Sequence, residues 1–170
     1  MGLKTTNRLD KIDFEIIRLL NQDGRMSNAE LARRLGDVPA RTISNRVESL
    51  IERDIISIKA IVNPAALGYN IMADVFIEVE PGRVREVAEA VSQFPQVSYA
   101  ACATGDRDVS VSLRVRSTEE LFDFVDETIG KIPGVQRVNT HLLPAKLKDI
   151  DLWLPEDILG EMENEEEKAR

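Results

Sequence analysis

Arg41, Thr42, Asn45 and Arg46 put four hydrogen-bonding side chains into six residues, and no acid occurs between Pro39 and Val47. These residue types suit nucleic acid. Asn pairs bidentately with the major-groove edge of adenine and Arg with that of guanine, while Thr offers a methyl or a hydroxyl. A guanidinium with no carboxylate beside it in sequence can also meet a backbone phosphate. At about 100° per residue, Arg41, Thr42, Asn45 and Ser49 fall on one side of a helix, with Arg46 on the flank. Ile43, Val47, Leu50 and Ile51 fall opposite and must face a core. Base-edge readout by Arg41, Thr42 and Asn45 is the expected chemistry, with Arg46 on a phosphate and Ser44 and Ser49 alongside. The competing reading is a solvated amphipathic helix with no partner.

Such a helix needs a frame to aim it. Ser27 and Glu30 have the S-x-x-E spacing of a capping box, and Met26 and Leu31 sit at staple positions around it. Leu31 and Leu35 share a face, and Gly36 supplies the stop. Pro39 suits the first turn of the next helix, with Val38 pushed out of the helical region and either Asp37 or Val38 as cap. Two short helices about a tight turn form a helix-turn-helix, whose second helix can lie in the major groove. A preceding helix is expected over 10–21, capped by Asp10, with Asp13 favourable to its dipole and Ile12, Ile16, Leu19 and Leu20 on its apolar face. Phe14 lies off that face and is either a staple against Leu9 or a contact with a second subunit. Residues 55–62 are rich in β-branched types and read as the strand of a wing, from which Lys59 reaches a phosphate. Asn63, Pro64 and Gly68 then interrupt the pattern.

The second half contains a hidden repeat. Ala73, Val75, Ile77 and Val79 alternate as a half-buried strand. Val84, Val87, Ala88 and Val91 follow at helical spacing, and 97–104 is again strand-like. The cycle restarts with Val109, Val111, Leu113 and Val115, then a second capping box at Ser117 and Glu120, a helix lined by Leu121, Phe124, Val125 and Ile129, and a strand over 135–143. Two β-α-β units in that order give a β-α-β-β-α-β, ferredoxin-like sandwich. The fold class is α+β. One sheet face of such a sandwich carries no helices and must be covered, most simply by a second copy. The domains expected are a winged helix-turn-helix over 1–62, a hinge over 63–70, the sandwich over 71–154 and an acidic tail over 155–170. Residues 146–154 could add an edge strand.

Charge agrees with this division. The 170-residue chain has a net charge of −8, yet residues 1–62 carry 11 basic and 9 acidic groups, and the acid excess lies beyond them. Local charge at the reading helix matters more than the total. One cysteine, Cys102, excludes an internal disulfide and any multi-cysteine metal site. No signal peptide and no membrane-length apolar run are evident, so a cytoplasmic protein without a membrane partner is expected. No cofactor is implied.

Taken in order, these residues resemble the Lrp/AsnC, or feast/famine, transcription regulators over roughly residues 9–153. The carrying residues are Leu9, Asp10, Asp13, Leu19 and Leu20; Ser27, Glu30, Leu31 and Ala32; Thr42, Ile43, Ser44, Asn45, Arg46, Val47 and Leu50; Asn63, Pro64, Leu67 and Gly68; and Thr104, Gly105, Asp106, Arg107, Asp108, Pro133, Gly134, Val135 and Thr140. The resemblance implies a sequence-specific regulator of double-stranded DNA. It also implies a homodimer that assembles to a tetramer or octamer, and a small-molecule effector, commonly an amino acid. Asp37 lengthens the turn by one residue, Pro39 and Ala40 replace more usual polar residues, and Asn45 stands where a basic residue is common. These departures bear on which DNA sequence is read.

The same resemblance gives residues 104–108 an effector role at a subunit interface. Gly105 lets the backbone approach a ligand, exposed N–H groups can hold a carboxylate, and Asp106 or Asp108 can receive an ammonium. Arg107, Thr140 and His141 complete the expected set. The alternative is a hairpin turn whose polar residues merely suit a turn. Two other functions share this architecture. One is an enzyme resembling siroheme decarboxylases, which rely on histidines where this chain has only His141. The other is an architectural protein that binds DNA without sequence preference.

Overall fold

In the computed structural model, residues 9–36, 38–149 and 153–154 are described. They divide into two compact units, one running to Ala60 and including the described residues from Lys148 onward, the other spanning Ile61–Leu147.

Three short helices form the first unit: α1 (Lys11–Gln22), α2 (Asn28–Arg34) and α3 (Ala40–Glu52). A full capping box starts α1. Asp10 Oδ1 accepts from the Asp13 N–H at 2.9 Å, and Asp13 Oδ2 accepts from the Asp10 N–H at 3.2 Å. Ile16 and Leu19 of α1 pack with Leu31 and Ala32 of α2 and Ile43 and Leu50 of α3. Phe14 is buried within the single chain, so it does not wait for a second subunit.

The box expected at α2 is only half made. Ser27 Oγ accepts from the Glu30 N–H, but the Glu30 carboxylate turns to Arg33 and Arg34. Charged guanidinium donors outcompete a neutral backbone N–H for a carboxylate. Gly36 ends the turn at φ 83°, a left-handed conformation that suits glycine. Pro39 itself is the N-cap of α3, without a side-chain cap, so Val38 does not fill that role; Asp37 lies outside the described residues. Ile51, expected in the core, is 41% exposed. One residue beyond Leu50, it rotates off the narrow seam that Ile43 and Leu50 present to the other two helices.

The strand expected over 55–62 is not formed, and no wing strand occurs among the described residues. Ile58, Ile61 and Val62 are exposed. High β propensity reflects packing on a pleated surface, and a strand without a partner ladder has nothing to pack on. Asn63 Oδ1 then accepts from the Ala65 N–H, a short helical turn covers Ala65–Leu67, and Gly68 reverses the chain at φ 86°.

The second unit is the expected sandwich: β1 (Ile71–Val79), α4 (Val84–Ser92), β2 (Val97–Cys102), β3 (Val109–Val115), α5 (Thr118–Asp123) and β4 (Val135–Leu142). After α5 the chain widens over Phe124–Thr128 and tightens over Ile129–Lys131. The strands pair antiparallel in the order β2-β3-β1-β4. Alternation in β1 and β3 sends Ala73, Val75, Ile77, Val109, Val111 and Leu113 into one core with Val87, Val91, Leu121 and Ile129 of the helical segments. Both helices therefore cover the same face. Met72, Asp74, Phe76 and Glu78 of β1 and Ser110, Ser112 and Arg114 of β3 line the other.

Two further expectations need correction. At α5, Ser117 Oγ accepts from the Glu120 N–H, but Glu120 Oε2 accepts from the Arg116 N–H rather than that of the cap residue. Residues 146–149 form no edge strand; residues 150–152 and the tail over 155–170 lie outside the described residues. No helix among the described residues is long and apolar enough to cross a membrane.

Candidate functional site

The outer face of α3 is built from its first two turns. Arg41, Thr42 and Asn45 are exposed there, while Ile43 and Leu50 anchor the opposite side in the helical core. Ser44 and Ser49 are half-buried. The Ser44 hydroxyl donates to Glu48 Oε1 at 3.1 Å, which directs it along the helix rather than outward. Lys59 is exposed on the extended segment after the helix, not on a strand.

Arg46 departs from expectation. Its Nη1 donates to Asp10 Oδ2 and to Asp13 Oδ1, both at 2.7 Å. Its side chain is 29% exposed and that of Asp13 10%. The hydrogen bond to Asp13, then that to Asp10, raises the guanidinium pKa. Burial alone would push the Asp10 carboxyl up, but the Asp13 N–H and the Arg46 guanidinium outweigh it and hold it below its ordinary value. One cation thus faces two carboxylates. Arg46, expected on a phosphate, here forms a clasp between α3 and the start of α1. Its signal was the Asp-x-x-Asp spacing at Asp10 and Asp13, each carboxylate having one oxygen to spare beyond the cap.

In the second unit, residues 104–108 join β2 to β3. Thr104, Gly105 and Asp106 are exposed, and Gly105 sits at φ 130°. Asp108 has a structural role in the loop. Its Oδ2 accepts from the Val79 N–H at 2.8 Å, its own N–H donates to the Ile77 carbonyl, and its carbonyl accepts from the Ala103 N–H. This residue closes the loop onto the end of β1. Arg107 turns the other way and lies 4.2 Å over the Phe76 ring. Phe76 in turn meets the His141 ring edge-on at 5.6 Å. Arg107 and His141 are therefore brought together on the helix-free sheet face, with Phe76 between them. Thr140 is not, because its register partner is Val75, on the helix-covered side.

Phe76 was absent from the expected site. An aromatic at the polar phase of an alternating strand was the signal that could have found it. Nearby on the same face, Ser112 Oγ donates to Asp74 Oδ1 at 2.6 Å. A surface hollow of about 490 Å³ lies elsewhere, along α5 and its continuation, and is lined by Glu119, Glu120, Asp123 and Glu127. Among the described residues, no cluster of three or more His, Cys, Asp or Glu side chains is placed to hold a metal ion.

Comparison with known proteins fits both units. Residues 9–51 match the AsnC-type helix-turn-helix domain, and residues 72–151 match the Lrp/AsnC ligand binding domain. An uncharacterized HTH-type transcriptional regulator of Pyrococcus abyssi is 39% identical over 142 residues, which cover 83% of this chain and 89% of that protein. The structure of Escherichia coli AsnC superimposes with a TM-score of 0.78 at 24% identity, covering 85% of this chain and 99% of that one. A transcriptional regulator from Neisseria meningitidis, solved as an L-methionine complex, does so with the same score at 23% identity over 84% of this chain and 94% of its own. With both domain models matched in order and a relative this similar along most of its length, the chain belongs to the Lrp/AsnC family of transcriptional regulators, with a helix-turn-helix DNA-binding domain.

Proposed function

We propose that this regulator reads duplex DNA in a sequence-specific way through α3, and that an amino acid or similar small molecule modulates that binding. The observation that carries the first half is the exposed, acid-free start of α3. Arg41, Thr42 and Asn45 stand on one side, backed by the core contacts of Ile43 and Leu50. Asn45 pairs with adenine, Arg41 with guanine, and Thr42 touches a methyl or a neighbouring acceptor. Lys59 adds a phosphate contact. Catalysis has no part in this reading.

The effector half rests on the 104–108 loop. Asp106 presents a carboxylate for an ammonium, Gly105 leaves its backbone open to approach, and Arg107 and His141 flank Phe76 on the adjoining sheet face. The Neisseria relative's complex with L-methionine supports an amino acid as the ligand class. The same face supports a homodimer, and larger assemblies built from it, because it carries no helix and its Met72 and Phe76 are only half-buried, so that a second copy would cover them.

The test is fluorescence anisotropy on duplexes that the protein selects from a random pool, at fixed salt with excess unrelated competitor. Competitor-resistant binding is expected, with Asn45→Ala relaxing preference at one base pair by about 1–3 kcal/mol. Binding erased by competitor would overturn sequence-specific reading. Repeating the titration with each amino acid tests the effector, with Asp106→Ala expected to abolish any shift.

A further inference from the structure

We infer that Arg46 is a positioning residue for DNA reading: it fixes the tilt of α3 by clasping the capped start of α1, and it makes no phosphate contact. The inference rests on α3 being the helix that faces DNA.

The clasp is specific in its geometry. Asp10 and Asp13 each spend one oxygen on the other's backbone N–H, Asp10 through Oδ1 and Asp13 through Oδ2. The remaining oxygens, Asp10 Oδ2 and Asp13 Oδ1, both receive Arg46 Nη1. A single nitrogen of α3 is thereby tied to both members of the box that starts α1. The contact joins residues 33 and 36 positions apart, so it sets how two helices lie together and not merely whether one helix forms. It also sits one residue from Asn45, on the flank of the exposed face. A change in helix tilt of a few degrees displaces Asn45 and Arg41 from base edges that accept only narrow geometry.

Charge decides against a phosphate contact. Two carboxylates and one guanidinium carry a net charge of −1, so a phosphate approaching Arg46 meets net repulsion. Releasing the guanidinium would leave the largely buried Asp13 carboxylate without its counter-charge, which is costly. Arg46 is better bound where it is.

The experiment is the salt dependence of binding by the full chain to its selected duplex and to a scrambled one, measured where circular dichroism shows each variant folded. The variants are Arg46→Ala, Asp13→Asn and the gentler Asp10→Asn, which keeps a competent cap. Arg46→Ala and Asp13→Asn are expected to reduce discrimination of the selected duplex by about tenfold while leaving the slope of log K against log salt at its wild-type value. Asp10→Asn should shift binding in the same direction by less. A phosphate contact predicts the reverse pattern. Arg46→Ala would then lower the slope by about 0.9, and the Asp variants, by freeing Arg46, would tighten binding. That pattern overturns the inference, as does a folded Arg46→Ala that discriminates like wild type. Failure of the wild-type chain itself to prefer any duplex would instead overturn the reading of α3.

Discussion

The two units achieve order by different means. In the sheet unit, each strand repeats its instruction. Val109, Val111, Leu113 and Val115 point inward at every second residue, and backbone ladders to β1 and β2 hold the register independently of any one side chain. The helical unit has a smaller core, formed by Ile16, Leu19, Leu31, Ala32, Ile43 and Leu50. Its helices share no ladder, so their mutual angles depend on a few side chains, among them the Arg46 clasp. Redundancy suits a scaffold that others assemble on. Dependence on few contacts suits a reading head, whose aim can be retuned by one substitution without rebuilding the core.

The largest effect should come from the sheet. Leu113 is fully buried at the middle of β3, which is flanked by strands on both sides. Leu113→Ala should cost about 2–5 kcal/mol by urea denaturation, because the surrounding ladders prevent the cavity from collapsing. Amide exchange should accelerate through 109–115 while α1 and α3 keep their protection. Equal loss of protection in both units would break the comparison, since the units would then unfold as one.

A middle-sized effect separates structure from function within one loop. Asp108→Ala strips the Val79 N–H of its acceptor and should cost about 1–3 kcal/mol. Asp106 is exposed, with Arg107 Nε 3.9 Å from its carboxylate, so Asp106→Ala should leave the urea midpoint within experimental error. If the two substitutions cost the same, the division of labour across the loop is wrong.

What was legible in the sequence follows the same line. The sheet unit could be read almost entirely, because period-two alternation is a local signal repeated in β1 and β3. The helices could be placed within a residue or so, from Asp10, Ser27, Gly36 and Pro39. Which of several competing partners a side chain takes could not. Nothing local says that Glu30 prefers Arg33 and Arg34 to its own cap, or that Arg46 turns inward to residues more than thirty positions away. The wing failed for a related reason. Residues 55–62 have the composition of a strand, but composition cannot supply a partner. At the loop, residue type alone could not tell Asp106 from Asp108, because the two differ only in which backbone N–H groups the fold brings to them.

The smallest effect tests the helical unit through its protons. Asp10 titrates below its ordinary 3.8 in the folded chain, because the Asp13 N–H and Arg46 favour its charged form more than burial opposes it. A carboxylate depressed by folding contributes stability that is fully present above the unfolded value and is lost as pH falls through the folded one. The helical unit should therefore be insensitive to Asp10 from neutrality down to about pH 4, and should weaken only below that. Arg46→Ala removes one of the two main depressing influences, so the Asp10 carboxyl should titrate at higher pH by NMR, and, with its folded and unfolded values closer together, the unit should lose less stability on acidification. Asp10→Asn should flatten this part of the profile while preserving the cap. An Asp10 carboxyl that titrates identically with and without Arg46 would mean that the clasp is too weak in solution to aim the helix, and the contrast between a self-sufficient sheet and a finely set reading head would lose its physical basis.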